Sequence, residues 1–178
     1  MTTVTETPEQ ATERIDELLA KLGNEEGTVR HNARVALVIA GFAAVPGLIE
    51  RLEHGNSHAR WEAAKALTIV RDERATPALV QALMDEVPGV RWLAASALAT
   101  LGRGCLEPLL HGMLDHSHSA WFREGAHHVL VQVGREDLRE LVGPVLRALE
   151  GIEPGVGVLV PTHHVLKSLH ADVPGPAH

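Results

Sequence analysis

Aromatic residues are scarce: the 178 residues include no tyrosine, two phenylalanines and three tryptophans. Abundant alanine and leucine beside that shortage disfavour a β-sandwich, whose strands draw on valine, isoleucine, tyrosine and phenylalanine, and favour packed helices. The single cysteine, Cys105, rules out an internal disulfide framework and suits a reducing compartment. No apolar run approaches the roughly 20 residues that a helix needs to span a bilayer. Positive charge is also short. Sixteen lysines and arginines face 23 acidic residues, giving a formal net charge of -7 that argues against a general nucleic-acid binder. The polar start MTTVTETPEQ does not read as a signal peptide, so the cytoplasm is the expected address.

What the chain does have is a repeat, clearest in residues 90–114, VRWLAASALATLGRGCLEPLLHGML. Val90, Ala94, Ala97, Leu98 and Leu101 fall at helical spacing and make one apolar stripe on a helix of type A. Gly102 and Gly104 stop it, and Pro108 opens a second helix, B, where a proline in the first turn loses no intrahelical hydrogen bond. Leu110 and Leu114 continue the buried side of B. The alanines of A allow close approach of neighbouring helices.

An arginine marks the start of each A helix, at Arg30, Arg60, Arg91 and Arg123, with steps of 30, 31 and 32 residues. Three and seven residues later come Ala33 and Leu37, Ala63 and Leu67, Ala94 and Leu98, and Ala126 and Leu130. The B helices open at Pro46, Pro77 and Pro108, and in the fourth pair the proline moves to Pro144. Residues 8–22 read as a lone B helix, a half repeat behind a Thr7 cap. Four A–B pairs fill 27–151. A degenerate final A helix over 158–170 is expected to cover the end of the fourth pair, with a flexible tail at 171–178. The whole chain is thus expected to be one all-α, right-handed α-solenoid of about nine or ten helices in stacked antiparallel pairs.

The VRxxAAxAL pattern in VRWLAASAL and ARWEAAKAL, followed by PxLxxxL in DERATPALVQAL, resembles the HEAT-repeat proteins, in particular the short HEAT-like repeats of phycobilin lyase subunits. The likeness spans roughly residues 27–151. It implies a helical stack whose B helices line the concave side; the family's pattern is a packing pattern, specific for fold, and the binding role expected of this chain rests on its extended surface and the absence of a catalytic set. The enzymes it brings into view are a bilin-lyase-like tetrapyrrole chaperone and an alkylation-repair glycosylase. The glycosylase would need a positive track for phosphates, which the mixed-charge inner positions do not provide. Deoxyhypusine hydroxylase, another HEAT-repeat enzyme, holds iron with His-Glu pairs just after such arginines. Here those places hold His31-Asn32, Trp61-Glu62, Trp92-Leu93 and Glu124-Gly125, and no repeat has the pair. Nucleophile elbows and phosphate loops are missing too, so no catalytic residue, metal site or cofactor is expected.

The position after each arginine should point away from the core, and it holds His31, Trp61, Trp92 and Glu124. Two tryptophans there admit two readings. Each ring can lie across a neighbouring loop or helix, or the rings can form an aromatic ladder offered to a partner, extended by Trp121 and Phe122. The 12 histidines are a second oddity. His54 with His58, and His116 with His118, are two pairs in loops expected to be too far apart to share one ion. His111 takes the B-helix slot filled elsewhere by Ile49, Val80 and Leu146, as a satisfied core or edge imidazole or as a residue facing a ligand groove. Met113 is expected on the inner surface beside it. The candidate contact residues for a protein or peptide partner are Trp61, Trp92, His111, Met113, His31, Glu62 and Trp121.

Overall fold

The computed structural model describes residues 7–135 and 138–171. The first helix, α1 (Pro8–Lys21), opens with a capping box, the Thr7 hydroxyl accepting from the Gln10 amide while the Gln10 side chain accepts from the Thr7 amide. Four A helices of equal length follow: α2 (Gly27–Ala40), α4 (Ser57–Val70), α6 (Pro88–Leu101) and α8 (Ala120–Val133). Between them run the B helices α3 (Val45–His54), α5 (Thr76–Gln81) and α7 (Leu106–Asp115). The chain continues through α9 (Arg139–Leu149), the single turn α10 (Pro154–Gly157) and α11 (Leu159–Ala171).

Each of the first three A helices stops at the same place in its repeat, eleven residues after the marker arginine. There Gly41 and Gly102 have φ of 61° and 60°, and Arg71 adopts the left-handed region at φ 55°. Glycine enters that region without the clash a Cβ brings. Short 3₁₀ turns then reverse the chain into each B helix.

The A helices form one layer, α2 on α4, α4 on α6 and α6 on α8, and the B helices α1, α3, α5 and α7 form a second layer behind it. This is an all-α solenoid. Its core is made of buried leucines, among them Leu37, Leu48, Leu79, Leu98, Leu106 and Leu130, and of buried alanines on the A helices, among them Ala63, Ala66, Ala94 and Ala97. An alanine at a helix contact lets the two helix axes come close and keeps little rotamer entropy to lose.

The fourth repeat departs from the others. α11 packs against α7 and α9, on the B layer, and its His170 Nε2 meets Glu107 Oε1 of α7 at 2.9 Å. The expectation of a final A helix is corrected accordingly: Val165 and Leu166 are buried on the B side, beside α7, where the preceding repeats place their next B helix. The tail from 172 onward lies outside the described residues.

Candidate binding groove

The marker arginines have a shared structural task. Arg30 donates from Nη1 to the carbonyls of Asn24 (2.6 Å) and Glu25 (2.8 Å), Arg60 to Gly55 (3.1 Å), Arg91 to Asp85 (2.7 Å) and Glu86 (3.3 Å), and Arg123 to Ser117 (2.5 Å). Each reaches back five or six residues to satisfy carbonyls of the loop that leads into its own A helix. Arg60 also forks onto Asp85, at 2.7 and 3.2 Å, and onto Glu86 at 2.9 Å, and these carboxylates raise its pKa further. The arginines therefore hold the loop that enters each A helix, and what fills each seam is decided by the residues next to them.

In the first seam, between α2 and α4, a buried ion pair fills the space. Arg34 Nε donates to Glu62 Oε2 at 2.7 Å, Arg30 Nε lies 3.7 Å from Glu62 Oε1, and Arg34 Nη2 donates to His31 Nδ1 at 3.0 Å. Glu62 is therefore not available to a partner, and His31, itself exposed, is tied to the same cluster.

In the second seam, between α4 and α6, the corresponding pair is apolar, Ala64 and Leu93, both buried. Here the Trp61 ring lies down. A Cβ placed on Gly89 would sit 3.3 Å from both Cδ1 and Nε1 of Trp61, so the ring rests on the bare backbone at the start of α6. Lys65, one turn along α4, covers it with its ammonium 4.5 Å from the ring centroid. Trp61 is half-buried and packs on the core.

The third seam, between α6 and α8, is open. Its corresponding pair is Ala95 and Gly125, and the residue standing where Gly89 stands, two before the arginine, is Trp121. A ring at Trp92 cannot lie across a position that already carries an indole, and Trp92 remains 63% exposed, Trp121 49%. The result is a groove of about 740 Å³ lined by Trp92, Trp121, Arg91, Ala95, Glu124, His128 and Val131, with Gly125 in its wall. A Cβ on Gly125 would come within 2.8 Å of Leu83 Cδ2, so the glycine lets α8 pack closely against the buried Leu83. Beyond His128 the seam continues as a more polar trough of about 510 Å³, past Ser96, Thr100, Gln132 and Arg135.

The electrostatics of the groove are divided. The Arg91 guanidinium carbon sits 4.4 Å over the Trp121 ring while Nη1 is held by the loop carbonyls, so this arginine braces Trp121. Glu124 forms no ion pair or hydrogen bond with any described side chain and is exposed. His127, at the edge, meets Glu150 Oε1 at 3.2 Å.

Of the seven residues singled out from sequence, only Trp92 and Trp121 come together in this groove. Two others are corrected. Met113 is fully buried: α7 turns Leu106, Leu109, Leu110 and Met113, a helical stripe, into the core, so the position read as inner surface is an interior one. His111 lies off that stripe and is exposed, so it is no core imidazole. Its nearness to Glu107, with the stronger effect of the His170 contact, holds the Glu107 carboxyl below its ordinary pKa. Among the remaining histidines, His116 tilts against Phe122 with centroids 5.4 Å apart, and no group of three or more possible metal ligands converges among the described residues. Cys105 is buried, and desolvation pushes its thiol up to about 12, far from the thiolate form a nucleophile needs. The sequence marks Glu124 as an outward residue but not as part of a site, and does not single out Ala95 or Gly125, although aligning the repeats two residues before and two and four after each arginine marks all three seams as different.

Two layers of antiparallel helix pairs, with one arginine per repeat holding the loop into its A helix, define a helical repeat protein. Residues 15–99 match the family model described as HEAT repeats, and over that stretch the chain is similar to the HEAT-repeat proteins. The matched stretch runs from α1 into α6, so it contains the two filled seams and only one wall of the open one. No curated protein matches the chain. No helix among the described residues is long and apolar enough to cross a membrane.

Proposed function

We propose that this chain is a non-catalytic scaffold that takes a protein or peptide segment into the groove between α6 and α8. The observation that carries the reading is the meeting of two exposed tryptophans, Trp92 and Trp121, in one groove of about 740 Å³. Tryptophan is enriched at the energetic centre of interfaces because it buries a large rigid surface for little conformational entropy. Singly exposed apolar side chains need no explanation, but two indoles sharing a concave surface do. Trp61 and Glu62 serve the scaffold itself, the first by packing and the second by pairing.

The test is a peptide library displayed on phage, selected against the full chain and counter-selected against the Trp92→Ala/Trp121→Ala variant. Peptides should emerge that bind the native chain at least about tenfold more tightly than the variant, in line with the loss of two aromatic anchors. Helicity and melting temperature should be nearly the same for both proteins. Selected peptides that bind both equally, or a variant that loses much of its stability while binding persists, would overturn the reading.

A further inference from the structure

We infer that the segment received by this groove carries a lysine or arginine whose cation lies on the face of Trp92 beside the Glu124 carboxylate. The inference rests on the groove being a peptide site and goes on to name the chemistry of its occupant. Two of the three tryptophans already take a cation from the chain itself: Trp61 from Lys65 at 4.5 Å and Trp121 from Arg91 at 4.4 Å. Lys65 stands four residues after Trp61, on the next turn of the same helix. The residue four after Trp92 is Ser96, whose hydroxyl donates to the Trp92 carbonyl at 2.9 Å and brings no charge to the ring. Trp92 is also the most exposed of the three.

The negative partner is in place as well. Glu124 lines the same groove, opens α8 as Trp92 opens α6, and has no cation of its own among the described side chains. The competing positive group, Arg91, is engaged with the Asp85 and Glu86 carbonyls and the Trp121 face. A lysine or arginine stem suits the rest of the lining, since Ala95, Gly89 and Val131 offer small or apolar contacts to its methylenes while the charged end reaches ring and carboxylate. The formal net charge of -7 adds a long-range attraction for a basic segment.

Sequencing the peptides that depend on Trp92 and Trp121 tests this directly. Lysine or arginine should be enriched at one position of the aligned pool by about threefold or more over the input library. In a synthetic peptide from that pool, changing the basic residue to norleucine should weaken binding to the native chain about fivefold, the scale of an exposed cation–π contact with a neighbouring charge. The same change should cost much less against Glu124→Gln. A pool that needs both tryptophans yet shows no basic enrichment, or a norleucine peptide that binds as well as its parent, overturns the cation while leaving the peptide groove standing. The absence of any tryptophan-dependent peptide overturns both.

Discussion

The second and third seams of the A layer start from nearly the same sequence, ARWEAAKAL followed by VRWLAASAL, and end as opposite surfaces. In both, a tryptophan follows the marker arginine. Trp61 lies flat on Gly89 and is roofed by Lys65, closing its seam, whereas Trp92 meets Trp121 in the place of that glycine and stays raised. A tryptophan's role here is set less by its own position than by the residue about 28 positions further on, where the next helix begins. The first seam gives the third solution, a buried ion pair where the others have alanine with leucine or glycine. One fold thus holds three fillings of the same gap, by charge, by a recumbent ring and by nothing but two exposed rings.

The comparison can be broken most forcefully in the first seam. Arg34→Ala removes the main partner of a buried carboxylate and should cost about 3 kcal/mol, the low end of the range for breaking such a pair because Arg30 remains 3.7 Å away. Urea unfolding reads the loss, and Arg34→Leu combined with Glu62→Leu should recover most of it, turning the first seam into an apolar one like the second. Full retention of stability by Arg34→Ala would mean that the pair contributes nothing to the seam. The second seam should respond more mildly. Gly89→Leu places a branched side chain where the Trp61 ring rests, and the lost burial, offset in part by better helix propensity, should come to about 1 kcal/mol. Acrylamide quenching of Trp61, measured with the other two tryptophans replaced by phenylalanine, should rise with it; a Trp61 that stays protected in the Gly89→Leu chain would show that the bare glycine is not what seats the ring.

The architecture was legible in the sequence because packing at a period of about 31 residues leaves alanine and leucine at fixed offsets, and those offsets hold at Ala63, Leu67, Ala94 and Leu98. The site was legible only in part. Helical periodicity says which side of one helix faces inward, and on that basis Trp92 reads as an outward residue, as its exposure bears out. It fails for a helix covered on several sides. α7 lies against α5, α8 and α11, so Met113 has no inner surface to occupy, and the free side of the helix falls at His111 instead. Glu62 carried no mark of its partner either, since Arg34 is 28 residues away and nothing in their local sequence ties them together. Seam contents are pairwise properties of two helices, and a reading of one helix at a time passes over them.

The measurement closest to the central claim compares two chains in which Trp92 is the only tryptophan: Trp61→Phe/Trp121→Phe, which keeps a ring at position 121, and Trp61→Phe/Trp121→Gly, which makes the third seam resemble the second. If the residue at 121 decides whether Trp92 stands open, the glycine chain should show an acrylamide quenching constant about twofold lower, as the ring falls from 63% exposed toward the half-buried state of Trp61. Equal or faster quenching with glycine at 121 would contradict it, and with it the explanation of why this groove exists.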